Sequence, residues 1–212
     1  MNNVHRGQRL YTLGKPLPEA AGAVVMIHGR GADARSILEL VPALKHPDWA
    51  FLAPQAAGGA WYPYRFMEPL ERNVPYLGWA LETVSDVLAQ VAEAGIPPEK
   101  TVLLGFSQGA CLVTEYAARN PQRYGGIVGL SGGLIGPEET QWPYPAKLDG
   151  TPVLLGCSDV DFHIPVTRVH ETAQVLKALG GVVDERIYPN MDHTINDDEI
   201  QAVQALLDGI AH

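Results

Sequence analysis

The chain has 212 residues, with 24 Asp or Glu against 15 Lys or Arg, for a formal net charge of −9. Hydrophobic residues make up 46% and charged residues 18%, which reads as a globular chain with a sizeable core and excludes a disordered one. An acidic chain without a Lys/Arg cluster is a poor partner for nucleic acid or an anionic membrane surface, because both need clustered cations.

The opening stretch Met1-Asn2-Asn3-Val4-His5-Arg6-Gly7 lacks the apolar segment of a signal peptide. The longest apolar run, residues 22–27, is too short to span a bilayer, so no stable membrane insertion is expected. The two cysteines, Cys111 and Cys157, lie in apolar surroundings and read as buried thiols of a cytoplasmic protein.

Strands and helices alternate along the chain. Residues 23–27 form a continuous apolar run, as expected for a strand covered on both faces. Residues 33–45 carry Ile37, Leu38, Val41 and Leu44 at helical spacing, and residues 49–53 read as a second strand. Residues 74–94 predict a long helix with Leu77, Leu81, Val84, Leu88 and Val91 on one stripe, stopped by Gly95 and Pro97-Pro98.

Strands are then expected at 101–105, 126–130, 152–156 and 182–188, and helices at 110–119, 166–179 and 197–210. Asp197, Asp198 and Glu199 sit favourably at the positive end of the last helix. No repeat or linker divides the chain, so residues 1–212 are expected to form one domain. Repeated βα units imply an α/β fold with a mostly parallel sheet and helices on both faces. Ligands of such sheets bind beyond the carboxyl ends of the strands. Two long loops there, 55–72 and 132–149, are rich in Gly, Pro and aromatics.

Gly105-Phe106-Ser107-Gln108-Gly109 matches Gly-x-Ser-x-Gly between a strand and a helix. That sharp turn strains the serine and points its hydroxyl out of the sheet, and the glycines let strand and helix approach closely. A serine hydroxyl needs a base, and on such a scaffold the acid and then the histidine follow in sequence. His193, between the last strand and the last helix, fits the base better than His5, His28, His46, His163, His170 or His212.

The acid is expected after the penultimate strand, where Ser158-Asp159-Val160-Asp161 offers two carboxylates. Asp161 is preferred, because Asp161-x-x-Ile164-Pro165 leads into the next helix. Asp159 reads instead as a loop brace accepting backbone N–H bonds, and both stay open as the acid. Asp159, Asp161, His163 and Asp192 have no recognised ligand spacing, so no metal is expected. Cys111, four residues past Ser107, is expected to point away from the elbow.

An attacked carbonyl develops negative charge that preorganised N–H groups stabilise. The N–H of Gln108 is one expected donor, and that of Arg30, in His28-Gly29-Arg30-Gly31, is the other. Trp61, Tyr62, Tyr64, Phe66 and Met67 in the first long loop are candidates to line an apolar substrate pocket. Leu134, Ile135, Trp142 and Tyr144 would form the opposite wall, with Ile164 beside the acid. The same aromatics would equally serve to pack the loops down. Arg30 and Arg65 read as solvated cations sooner than as anion-binding groups.

With these pieces in view the chain resembles the carboxylesterase/phospholipase branch of the α/β-hydrolases, which includes acyl-protein thioesterases and small bacterial esterases. The resemblance rests on His28-Gly29-Arg30-Gly31-Ala32, Pro54-Gln55-Ala56 with Trp61, Gly105-Phe106-Ser107-Gln108-Gly109-Ala110, Leu130-Ser131-Gly132-Gly133-Leu134, Asp161-Phe162-His163-Ile164-Pro165 and Met191-Asp192-His193-Thr194. These segments span nearly the whole chain from about residue 22.

The resemblance implies a hydrolase without a separate cap domain, with Ser107, Asp161 and His193 as triad, Arg30 and Gln108 as oxyanion donors, and no cofactor. Members that cleave long lipid chains often carry Leu where Arg30 stands, which weakens a lipid substrate here. The expected activity is hydrolysis of small to medium carboxylic esters through an acyl-enzyme. Lysophospholipase or acyl-protein thioesterase activity is the alternative, and a non-catalytic binding protein on the same scaffold the second. The expected partner is a small ester, and apolar loop surface would permit a homodimer.

Overall fold

The computed structural model describes residues 2–143 and 147–211. Seven strands form one sheet in the order β1-β3-β2-β4-β5-β6-β7. They are β1 (Leu10–Gly14), β2 (Ala23–Ile27), β3 (Ala50–Pro54), β4 (Thr101–Phe106), β5 (Gly126–Leu130), β6 (Pro152–Ser158) and β7 (Val182–Tyr188). β1 runs antiparallel to β3, and every other pairing is parallel.

Helices α1 (Ala34–Leu38), α2 (Tyr76–Glu93), α3 (Gln108–Arg119), α4 (Val166–Ala178) and α5 (Asp197–Ala211) cover the sheet. Alternation along β2 and β4 sends Val25, Ile27 and Leu103 into the core under α2, α3 and α4. It sends Val24, Met26, Val102 and Leu104 into the core under α1 and α5. This is the α/β-hydrolase fold, and the apolar runs of the sequence are its doubly covered central strands.

Three local expectations are corrected. The segment 33–45 is not one helix: α1 ends at Leu38, and a 3₁₀ turn over Val41–Ala43 holds Pro42 near its start. The long helix begins at Tyr76, after Pro75, instead of at 74. β1 was not foreseen, because a half-exposed edge strand with a glycine end carries no apolar run. Among the described residues, no helix is long and apolar enough to cross a membrane.

Candidate active site

Ser107 stands alone between β4 and α3 with φ 55° and ψ −119°, a backbone conformation that few side chains tolerate. Two glycines make the turn possible. A Cβ on Gly105 would lie 2.3 Å from the Gly109 backbone, and one on Gly109 would lie 2.0 Å from the carbonyl oxygen of Ile27. The first turn of α3 is therefore wedged directly against β2 and β4. Ser107 N donates to Leu130 O at 2.9 Å, and Ser107 O accepts from Cys111 N at 3.0 Å, so the turn is held at both ends.

The structure brings the three predicted side chains together at the carboxyl rim of the sheet. Ser107 Oγ lies 2.9 Å from His193 Nε2. His193 Nδ1 lies 2.6 Å from Asp161 Oδ2. An ionised carboxylate only accepts, so the geometry places the ring proton on Nδ1 and leaves Nε2 to accept from the serine. The His193 ring packs against Phe106, with centroids 5.0 Å apart, which sets its plane.

Asp161 also accepts from the backbone N–H groups of His163 at 2.8 Å and Ile164 at 3.0 Å. Burial raises its carboxyl pKa, but the His193 bond and those two N–H groups outweigh burial and hold it below the usual value. Asp159 faces away from this chain and accepts from Asn190 N at 2.8 Å, bracing the loop that carries His193. Of the two aspartates left open, the one bonded to the imidazole is Asp161.

Gly29, Arg30, Ser107 and Gln108 line one wall of a cleft of about 450 Å³. Among the described residues, the backbone N–H groups of Arg30 and Gln108 have no hydrogen-bond partner, while Gly31 N is engaged by Gly59 O at 2.8 Å. The two side chains have a separate task. Arg30 donates to the carbonyls of Pro63, Tyr62 and Tyr64 at 2.8, 2.9 and 2.7 Å. Gln108 accepts from Trp61 N and donates to Tyr62 O, both at 2.9 Å. The residues expected to supply the N–H pair thus pin the first long loop against the elbow.

The substrate-pocket expectation needs correction. Phe66 and Ile164 do line the cleft, but Trp61, Tyr64 and Leu134 do not. Trp61 is fully buried beside the His5 and His28 rings, with its indole N–H on His28 O at 3.0 Å. Tyr64 is exposed and lies under the Arg72 guanidinium, 4.1 Å from its ring centre. Leu134 is buried in the core, its carbonyl held by the buried Arg168 at 2.8 Å. Aromatics in a loop can face inward or outward, and the sequence does not distinguish these.

Tyr62, one of the candidate loop aromatics, does line the cleft, and the cleft also recruits residues that sequence reasoning missed: Ile37 and Leu40 around α1 and Ile195 before α5. Cys111 also reaches the cleft wall instead of pointing away, but burial pushes its thiol up to about 12, far from a thiolate nucleophile. Tyr144 lies outside the described residues. Among the described residues, no group of three or more His, Cys, Asp or Glu is placed to hold a metal ion.

A mostly parallel sheet that carries a strained serine at its carboxyl rim is the α/β-hydrolase architecture. Within that class the chain belongs to the phospholipase/carboxylesterase family of hydrolases, whose model matches residues 14–210. It is similar to the solved phospholipase/carboxylesterase from Dyadobacter fermentans, at 42% identity over 97% of each chain and a TM-score of 0.91. It is also similar to esterase PE8, at 28% identity over 94% of this chain and 97% of that one, with a TM-score of 0.78.

Among curated proteins it resembles acyl-protein thioesterase 1 of Saccharomyces cerevisiae, at 25% identity over 89% of this chain and 92% of that protein. The match to acyl-protein thioesterase 1 of Gibberella zeae is 33% identical but spans 58% of this chain and only 53% of the relative.

Proposed function

We propose that the protein is a serine carboxylesterase for small to medium acyl esters, using Ser107 as nucleophile, His193 as base and Asp161 as orienting acid. The observation that carries this is the continuous hydrogen-bonded chain from Ser107 Oγ through the imidazole to Asp161. His193 Nε2 takes the serine proton as Oγ attacks the ester carbonyl, and Asp161 stabilises the resulting imidazolium. The backbone N–H groups of Arg30 and Gln108 receive the oxyanion, each contributing about 10²–10³ in rate. The alcohol leaves with the proton from the imidazolium, and water, activated by the same ring, hydrolyses the acyl-enzyme.

No cofactor takes part in these steps. The buried, unpaired thiols of Cys111 and Cys157 support a reducing, cytoplasmic setting. The names of the fungal relatives favour a second reading, acyl-protein thioesterase. An ester panel of increasing acyl length, with oxyester and thioester at each length, separates the two. Short and medium oxyesters are expected to give the highest kcat/KM, and a preference for long-chain thioesters would replace the first reading with the second. Ser107→Ala is expected to lower kcat by about 10⁴-fold or more and to abolish labelling by an organophosphonate.

A further inference from the structure

The cleft carries a charge pattern that ester hydrolysis by itself does not require. The whole chain is acidic, at −9. The cleft is lined by two permanent cations, Arg30 and Arg65, with His28, His163 and His193 beside them, and among the described residues by no Asp or Glu. A concave surface of one sign concentrates ligands of the opposite sign.

Most of these groups are already committed. Arg30 spends its guanidinium on three carbonyls of the first long loop. His28 is held between Gly29 O and Ala56 N, and burial keeps its pKa below the ordinary value. His193 belongs to the chain from Ser107 to Asp161.

Arg65 differs from all of them. Its carbonyl accepts from Asn73 Nδ2 and Glu68 N, both at 3.2 Å. Among the described residues, its guanidinium has no hydrogen-bond or ion-pair partner. Its neighbours in sequence are fixed. Tyr64 N donates to the buried Asn73 at 2.9 Å, Tyr64 O is held by Arg30, and Phe66 O accepts from Gly136 N at 2.8 Å. The backbone is anchored on both sides while the exposed side chain borders the cleft.

His163 is the other uncommitted group at this opening, its ring 4.8 Å from that of His193. Desolvation and the neighbouring His193 lower its pKa, against Asp161 and with Arg65 adding to the effect, which favours the neutral ring.

We infer that Arg65, assisted by His163, binds an oxyanion carried by the substrate. The preferred esters then bear a second, ionised acid group, a carboxylate or a phosphate. A planar guanidinium meets either group through two parallel N–H bonds. The inference deepens the esterase reading and rests on it.

The test compares kcat/KM for charged and neutral substrates of one shape. In one arm monoethyl glutarate is set against the ester in which an isopropyl group replaces its free carboxylate. In the other, the acetyl ester of 2-hydroxyethyl phosphate is set against its neutral dimethyl phosphate. Wild type is expected to favour the charged partner by about tenfold in at least one arm, and that arm identifies the oxyanion. Arg65→Gln should remove most of this ratio, Arg65→Lys should keep part of it, and Arg65→Glu should invert it. Arg9→Gln, an exposed arginine stacked on Tyr11 outside the cleft, should leave the ratio intact.

Equal kcat/KM for charged and neutral partners in both arms overturns the inference, as does a preference that Arg65→Gln leaves unchanged. Absence of turnover for all four esters, with Ser107 unlabelled by a phosphonate, instead removes the esterase reading and this inference with it.

Discussion

Asp159 and Asp161 are two residues apart, and their surroundings assign them different work. Asp161 is buried and faces His193, whereas Asp159 is exposed and holds a backbone N–H of the His193 loop. Asp161→Asn is expected to reduce kcat by about 10³–10⁴-fold, because the wrong tautomer is then favoured, and to lower the melting temperature modestly at neutral pH, because the ionised carboxylate contributes stability there. Asp159→Asn should keep kcat within a few-fold and cost about 1 kcal/mol of stability through the weakened brace. Steady-state kinetics and thermal melting of the two variants side by side check this, and the opposite pattern would reverse the assignment. Arg30 makes the same point about side chain against backbone. Arg30→Ala keeps the N–H but frees residues 62–64 from three bonds. A drop in kcat of about 10–100-fold is expected while Ser107 still reacts with a phosphonate, since small displacements at an oxyanion site are costly. The residue types of this site were legible in sequence because their chemistry is tied to the ends of strands. The choice between the two aspartates was not, because it depends on which carboxylate the loop turns inward.

At the scale of elements, the site depends on how closely α3 approaches the sheet. Gly109 lies against Ile27 O with no space for a methyl group, and both partners are backbone, which cannot move aside. Gly109→Ala is therefore expected to destabilise by more than about 4 kcal/mol and to yield little folded protein. Gly78 is also helical, in α2, but a Cβ there meets nothing within 4 Å. Gly78→Ala should stabilise by about 0.5–1 kcal/mol, and melting curves of the two variants provide the comparison. The central strands were legible because burial on both faces demands unbroken apolar runs such as Ala23–Ile27. β1 was hidden because an edge strand with one solvated side needs no such run. The cleft walls were hidden for another reason. Ile37 and Leu40 lie on a segment whose apolar spacing marks only a buried stripe, and nothing in that spacing says which of them will border a cavity.

The whole molecule responds to pH through buried groups outside the strands, and they pull in opposite directions. Asn196 and Glu199 form a reciprocal cap on α5, with Asn196 Oδ1 accepting from Glu199 N and Glu199 Oε2 accepting from Asn196 N, both at 2.9 Å. Glu199 does not face solvent at the helix end as its neighbours Asp197 and Asp198 do. It is buried, and its Oε1 has no partner among the described residues. Burial pushes its carboxyl up to about 7 from 4.5, against the pull of Asn196 N–H and with some help from Asp198. Between those values the folded chain holds a proton that the unfolded chain has released, so Glu199 withdraws stability as pH rises, by up to about 3 kcal/mol. His5 and His28 act the other way. Burial lowers both below 6.5, so their stability is present above that value and lost as pH falls. Asp161, held below 3.8, contributes above its unfolded value and is lost only in stronger acid. The wild-type profile is the sum of these trends, and the Glu199→Gln difference isolates one of them. Denaturant unfolding at about pH 5 and pH 8 should show the variant near wild type in acid and more stable than wild type in alkali, by about 1–3 kcal/mol. The gain should appear without a change in kcat, because Glu199 does not line the cleft. A stability difference that stays constant across this range would mean that Glu199 is ionised in the folded protein and that its buried oxygen is paired with a cation or hydrogen-bonded by water.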